Sequence, residues 1–98
     1  MAIIYDPQNN ETEALQRYAS WQGKRVLELG CGDGRLTRRL AALGAIVDAY
    51  DPKEALIKLA RQTLPKKYAA TIHFYIGQAE TIDAPDKHYD LVLFSWSL

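Results

Sequence analysis

Residues 25–34, Arg-Val-Leu-Glu-Leu-Gly-Cys-Gly-Asp-Gly, decide the fold of this chain. The stretch at residues 25–29, with its apolar Val26, Leu27 and Leu29, is typical of a short buried strand, and the glycines after it allow a sharp turn. The next stretch, residues 34–43, carries leucines at helical spacing and stops at Gly44, which predicts a helix. A ligand can approach the backbone at such a turn, because glycine has no side chain and the helix N-terminus offers N–H groups.

The rest of the chain alternates between helical and extended patterns. A first helix is expected at residues 9–21, and a later one has Pro52 in its first turn and ends at Pro65. Further strands are expected at residues 45–50, 71–76 and 90–96, with a loop at residues 77–89. This order predicts the α/β class, with a parallel sheet flanked by helices, in one domain that spans residues 1–98.

Composition excludes several classes of protein. The chain has 98 residues, and its 12 basic and 12 acidic side chains cancel, so no general attraction to nucleic acid or an anionic membrane is expected. No apolar stretch approaches the ~20 residues that span a bilayer, and the N-terminus lacks the basic region of a signal peptide. The single Cys31 allows no disulfide within the chain, and no cluster has metal-ligand spacing. A cytoplasmic location is therefore expected.

The spacing of the glycines separates two classes of cofactor. A dinucleotide fingerprint needs Gly-x-Gly-x-x-Gly, but Arg35 stands where its third glycine belongs. The negative charge of Glu28, just before the first glycine, would repel a pyrophosphate and attract a cofactor with an amino group. A nicotinamide-dependent enzyme is therefore disfavoured, while a turn whose glycines serve only its geometry remains an alternative.

The pattern Glu28-x-Gly30-x-Gly32-x-Gly34 after an apolar strand resembles motif I of class I S-adenosylmethionine-dependent methyltransferases. The resemblance extends over nearly the whole chain and implies a Rossmann-like fold with S-adenosyl-L-methionine as the cofactor. It implies that Glu28, Gly30 and Gly32 hold the methionine part of that cofactor. Cys31, between the glycines, is expected to line the pocket as a small filler rather than to act as a nucleophile.

Asp51 ends the second predicted strand. In doubly wound folds an acid at this place can accept hydrogen bonds from ribose hydroxyls. The resemblance assigns that role to Asp51, with Pro52 packing near the adenosine. A local role is also open, because Asp51 could cap the next helix, with Pro52 at its first position and Glu54 completing a capping box. The two roles are compatible.

Later positions complete the expected cofactor site. Gln78 and Ala79 follow the third strand, where many relatives have Gly-Asp-Ala, and the resemblance implies that they hold the adenine. Gln78 departs from that aspartate, so its amide oxygen would accept the adenine amino hydrogen without a charge. Ser95, at the carboxyl end of the fourth strand, is expected to line the site beside the first strand. Trp96 could lie near the sulfonium and Tyr5 could help to cover the cofactor, with simple packing and simple exposure as the alternatives.

The resemblance stops halfway through the family's fold. Relatives usually have a seven-stranded sheet in the order 3-2-1-4-5-7-6, whereas this chain supplies predicted strands in the order 3-2-1-4. The fourth strand, at residues 90–96, would then be an apolar edge, which favours association. We expect pairing or element exchange with a second copy through this edge, a truncated domain of a longer protein, or a partial domain of low stability.

The expected function is S-adenosylmethionine-dependent methyl transfer to an unknown acceptor, expected to be a small molecule. Methyl transfer depends mainly on alignment and a dry site, with a base when the acceptor carries a proton. No residue of this chain is assigned as that base, so the catalytic residues stay unknown. The alternative is a truncated or non-catalytic S-adenosylmethionine-binding module that is active only with further chain or a partner.

Overall fold

The computed structural model describes the backbone of residues 2–5 and all atoms of residues 20–77 and 89–94. Its strands and helices, in chain order, are β1 (Ala2–Tyr5), β2 (Arg25–Leu29), α1 (Arg35–Ala42), β3 (Ile46–Asp51), α2 (Glu54–Gln62), a 3-10 turn (Lys66–Tyr68), β4 (Ile72–Ile76) and β5 (Leu91–Phe94). The helix predicted at residues 9–21 lies outside the described residues, except for its last two positions, which are not helical. None of the helices in these ranges is long and apolar enough to cross a bilayer.

The strands form one parallel sheet in the order β1-β5-β2-β3-β4. The strands predicted at residues 25–29, 45–50, 71–76 and 90–96 correspond to β2, β3, β4 and β5. Their predicted order 3-2-1-4 is confirmed, because β2 lies between β3 and β5, and β4 lies beyond β3. Parallel neighbours need crossover connections, and α1 and α2 supply two of them, as the alternating pattern predicted.

The prediction that the fourth strand forms an edge of the sheet is wrong. β1 pairs in parallel with β5, from Ala2 opposite Leu91 to Tyr5 opposite Phe94. A short apolar segment has no periodicity of its own, and its pairing with a strand far along the chain leaves no local signal. Since β1 covers that side of β5, the expected association of two copies through this strand loses its structural basis. The outer strands of the described sheet are β1 and β4.

One face of the sheet is covered by both helices. Along β3, Val47, Ala49 and Asp51 are buried, while the residues between them are half-buried, as alternation in a strand requires. The apolar sides of the helices pack on this face and form the main core. Its fully buried members include Val26, Leu40, Val47, Ile57 and Leu93. Asp51 and Glu28, which alternates with Leu27 and Leu29 along β2, therefore lie on the helix-covered face.

The opposite face of the sheet carries a second, smaller apolar cluster. Leu27, Leu29 and Val92 are its buried members. The hydroxyl of Tyr89 donates to Asp48 Oδ2 at 2.7 Å, which connects the segment just before β5 to the middle of β3. Asp48 is thus bonded on the side of the sheet away from Asp51, three positions along the same strand.

The two crossover helices begin differently. α1 starts after Gly34, whose φ of 88° lies in the left-handed region that favours glycine. α2 starts at Glu54, so the prediction that Pro52 lies in its first turn is wrong. Asp51 accepts the N–H of Lys53, which forms a turn and keeps Lys53 extended, so the helix begins two residues later than expected. Pro52 is exposed between β3 and α2.

Gly34→Ala should destabilise the fold more than the control Gly23→Ala. Both glycines have positive φ, 88° and 74°, so alanine is strained by about 1–2 kcal/mol at either position. A Cβ on Gly34 would lie 2.8 Å from the Phe74 ring, whereas a Cβ on Gly23 would meet no heavy atom within 4 Å. We expect Gly34→Ala to lower the free energy of unfolding in urea by about 1–3 kcal/mol more than its control. Equal losses would contradict a constraint from Phe74 on the start of α1.

Candidate functional site

The backbone of the glycine loop after β2 is bonded to the end of β3. The N–H groups of Gly30 and Cys31 both donate to the carbonyl of Tyr50, at 2.8 and 3.1 Å. The next N–H, that of Gly32, donates to Asp51 Oδ2 at 3.0 Å. Three consecutive loop amides are thus bonded to the last two residues of the neighbouring strand, which fixes the path of the loop.

Asp51 is the centre of this arrangement. Its side chain is buried, and its other oxygen, Oδ1, accepts the N–H of Lys53 at 2.9 Å. A carboxylate has about four lone-pair sites, so each oxygen can accept a further hydrogen bond from a ligand. The helix cap considered as a local role of Asp51 from the sequence does not form. Asp51 shapes the approach to α2 through Lys53, but it is not the N-cap of the helix and no capping box forms around Pro52.

The start of α1 is also bonded within the loop. The carboxylate of Asp33 accepts the N–H of Arg35 at 3.2 Å, and Arg38 Nη1 donates to the carbonyl of Asp33 at 3.2 Å. A carboxylate of the protein therefore lies where a phosphate would bind a helix N-terminus. Together with the three bonded amides, this arrangement disfavours a pyrophosphate at the loop, in agreement with the glycine spacing.

The side chain of Glu28 is held in place by a hydrogen bond from α1. Its side chain is fully buried, and its Oε1 accepts a hydrogen bond from the hydroxyl of Thr37, which is fully buried as well. Thr37 lies on the face of α1 that packs on the sheet, beside Leu36. Thr37 was not predicted from the sequence as a site residue. The available signal was a polar side chain within the apolar face of a short helix, which requires a hydrogen-bond partner when it is buried.

Burial raises the pKa of the Cys31 thiol, and the charges of Glu28, Asp51 and Asp33 raise it further. Its Sγ lies 3.7 Å from the carbonyl oxygen of Gly32. The thiol therefore stays protonated at neutral pH, which fits the expected role of a small filler and not that of a nucleophile. The same three carboxylates impose a negative potential on the loop, which favours a cationic ligand over an anionic one.

Gly32 and Gly34 have different surroundings. Gly32 has a φ of 58°, and a Cβ built on it would meet no heavy atom within 4 Å. Gly34, in contrast, is packed against Phe74. Gly34 thus serves the packing of α1, whereas Gly32 leaves open space beside the backbone where β2 and β3 end. This is the part of the loop that a ligand can approach.

Several predicted site residues cannot be placed. Gln78, Ala79, Ser95 and Trp96 lie outside the described residues, and of Tyr5 only the backbone is described. Their roles stay predictions. The N–H of Gly77 donates to the carbonyl of Asp51 at 3.1 Å. Gly77, which directly precedes Gln78, therefore lies beside the end of β3.

A separate cavity lies between α2 and the end of β4. Its volume is about 450 Å³, and it is lined by Glu54, Ile57, Lys58, Arg61, Gln62 and Ile76. It contains none of the site residues predicted from the sequence. We therefore locate the candidate site at the glycine loop and Asp51, where the polar groups converge.

The chain is similar in sequence to known methyltransferases. A chain called an uncharacterized methyltransferase, from Mycobacterium tuberculosis, is 37% identical over 81 residues, which are 83% of this chain and 31% of the relative. The ubiquinone/menaquinone biosynthesis C-methyltransferase of Ectopseudomonas mendocina is 35% identical over 81 residues, covering 78% of this chain and 31% of that protein. This chain thus spans about a third of the length of these curated relatives.

Solved structures show the same fold. The phosphoethanolamine N-methyltransferase 1 of Haemonchus contortus, in complex with phosphoethanolamine and S-adenosylhomocysteine, matches with a TM-score of 0.74 and 28% identity, over 87% of this chain and 18% of that one. A family model described as a methyltransferase domain matches residues 26–98, which include the glycine loop, Asp51 and β5. The chain therefore belongs to the methyltransferase domain family.

Proposed function

We propose that residues 1–98 form the cofactor-binding half of an S-adenosylmethionine-dependent methyltransferase domain, which transfers a methyl group to a small molecule. The observation that carries the proposal is the set of carboxylates around a glycine loop whose own amides are already bonded. S-adenosylmethionine has a positive sulfonium, an ammonium group and a ribose diol, and it has no phosphate. Each of these features suits a negative loop, whereas the pyrophosphate of a dinucleotide does not.

Different residues in and beside the loop would bind different parts of this cofactor. Asp51, which keeps lone pairs on both oxygens, would accept the two ribose hydroxyls. Gly32 would let the methionine part lie against the backbone, with Gly30 and Cys31 beneath it, and the buried charge of Glu28 would favour the ammonium group. The bound cofactor would supply an electrophilic methyl group, while these residues orient it and exclude water.

The remaining predicted residues would hold the adenosine. Pro52 is exposed immediately after Asp51 and offers an apolar surface beside the ribose acid. Gln78 and Ala79 directly follow Gly77, which is bonded to Asp51, and would contact the adenine. Ser95 would line the site from the end of β5.

A small-molecule acceptor is supported by the relatives. One is named as an enzyme of ubiquinone and menaquinone biosynthesis, and one structural neighbour as a phosphoethanolamine N-methyltransferase. The balanced charge of the chain supports the absence of a nucleic-acid partner. A cytoplasmic location is proposed because the single, buried Cys31 suits a reducing compartment.

Asp51→Asn should weaken the binding of S-adenosylhomocysteine in calorimetry. The substitution leaves one acceptor oxygen in place of two and removes the charge, so a ribose hydroxyl loses a charge-assisted partner. Since hydrogen bonds to charged groups contribute about 1.5–3 kcal/mol, we expect about tenfold weaker binding or more.

Asp48→Asn is the matched control for Asp51→Asn. Asp48 is an acid of the same strand that is bonded to Tyr89 on the opposite face of the sheet. Its substitution should lower the unfolding temperature without changing the affinity. Unchanged affinity of a folded Asp51→Asn variant would remove Asp51 from the site, and equal weakening by both variants would attribute the effect to the stability of the sheet.

Gly32→Ala should weaken cofactor binding where Gly23→Ala does not. Both positions have positive φ and open space around a new Cβ, so the cost in folding should be similar. At Gly32 the added methyl group would occupy the space assigned to the methionine part, and we expect about tenfold weaker binding of S-adenosylhomocysteine. Tight binding by Gly32→Ala would show that no ligand approaches the loop at this point.

Methyl transfer is tested separately from binding. With S-adenosylmethionine and a panel of small phenols, quinols and amines, we expect formation of S-adenosylhomocysteine above the acceptor-free rate for at least one compound. The measurement is S-adenosylhomocysteine release by mass spectrometry, with Asp51→Asn as the variant expected to lower it. Binding of the cofactor with no transfer to any acceptor would favour a non-catalytic module instead.

A further inference from the structure

Among the described residues, Glu28 and Thr37 form a buried polar pair between α1 and the sheet. The proposed function assigns a role to Glu28 but none to Thr37. Glu28 Oε1 accepts the hydroxyl hydrogen of Thr37, and both side chains are fully buried. Glu28 lies in β2, between Ala49 of β3 and Leu93 of β5, which are themselves fully buried. A carboxylate in such surroundings needs hydrogen-bond donors to keep its position and charge.

The charge of Glu28 reaches the glycine loop. Among the carboxylates that raise the pKa of the Cys31 thiol, Glu28 has the largest effect, ahead of Asp51 and Asp33. Cys31 is bonded through its backbone to Tyr50 and is followed by Gly32, the open position of the loop. The position of the Glu28 carboxylate therefore affects the potential felt by a ligand at Gly32.

We propose that Thr37 is a positioning residue for the ammonium end of the cofactor, acting by holding the Glu28 carboxylate beneath the glycine loop. The inference rests on the proposed function, since it concerns the same site. Thr37 itself has no exposed surface, so it would act on the cofactor through Glu28. Its hydroxyl is supplied by α1, whose start is fixed by Gly34, so the helix and the loop place the donor and the acceptor together.

A pair of ligands separates this role from a purely structural one. S-adenosylhomocysteine carries the amino-acid end with its ammonium group, whereas 5′-methylthioadenosine has the same adenosine and a thioether sulfur but lacks that amino-acid end. Loss of the Thr37 hydroxyl should weaken binding of the first ligand and leave binding of the second unchanged. A defect in packing would weaken both, because both share the adenosine.

The experiment is calorimetry of both ligands on the full chain. We expect Thr37→Val and Thr37→Ala to weaken S-adenosylhomocysteine about tenfold with unchanged binding of 5′-methylthioadenosine. Thr37→Ser, which keeps the hydroxyl, should restore the wild-type affinity. In a Glu28→Gln background, Thr37→Val should cause no further loss, because the two residues act through one interaction. The alanine variant covers the case in which a valine methyl group against a buried carboxylate prevents folding.

A second threonine serves as the matched control. The hydroxyl of Thr63 donates to the carbonyl of Leu59 at 2.9 Å, at the end of α2. Thr63→Val should leave the affinity for both ligands unchanged. Equal weakening of both ligands by the Thr37 variants, no weakening of either, or failure of Thr37→Ser to restore binding would overturn the inference while the proposed function stands. If the wild-type chain binds neither ligand, the proposed function fails, and the inference fails with it.

Discussion

The hydrogen bond from the Gly32 amide to the Asp51 carboxylate is the contact on which the rest of the site depends. Parallel pairing brings the carboxyl ends of β2 and β3 side by side, but it does not determine where the chain goes after β2. The Asp51 side chain and the Tyr50 carbonyl together take three successive amides of the loop and fix its course into α1. The open space at Gly32 is a consequence of that course.

This contact also determines which ligands the loop can bind. A strand, a glycine turn and a helix form an anion site when the loop amides and the helix N-terminus point at the ligand. Here the amides donate to β3, and Asp33 accepts the N–H of Arg35 at the helix start. The same supersecondary unit is thereby converted from a phosphate cradle into a negatively charged turn, without any change in the order of the elements.

Much of this fold could be predicted from local sequence, and the reason is the regular alternation of its central part. Buried strands and amphipathic helices between residues 25 and 76 each leave a pattern within about ten residues, and glycines mark the turns.

β1 and Thr37 were missed for a shared physical reason. The pairing of Ala2–Tyr5 with β5 and the bond from Thr37 to Glu28 are contacts between elements, and the local pattern of neither segment identifies its partner. The start of α2 was misplaced because a single side-chain bond, from Lys53 N–H to Asp51, outweighed the preference of Pro52 for a first helical turn.

The glycine motif shows which acids are near the loop, but their burial determines how strongly each one acts on it. Glu28, Asp33 and Asp51 contribute three acids to the loop, and the sequence alone does not distinguish the strength of their electrostatic effects. Their environments in the structure differ. Asp33 is exposed, so water and salt screen its charge, whereas Asp51 and Glu28 are buried and act through a medium of lower dielectric constant. Their effects on the Cys31 thiol follow the same order, with Glu28 first and Asp33 last. The potential at the loop is therefore set chiefly by the two carboxylates that the protein keeps from solvent, and these are also the two that hold backbone or side-chain donors of neighbouring elements in place.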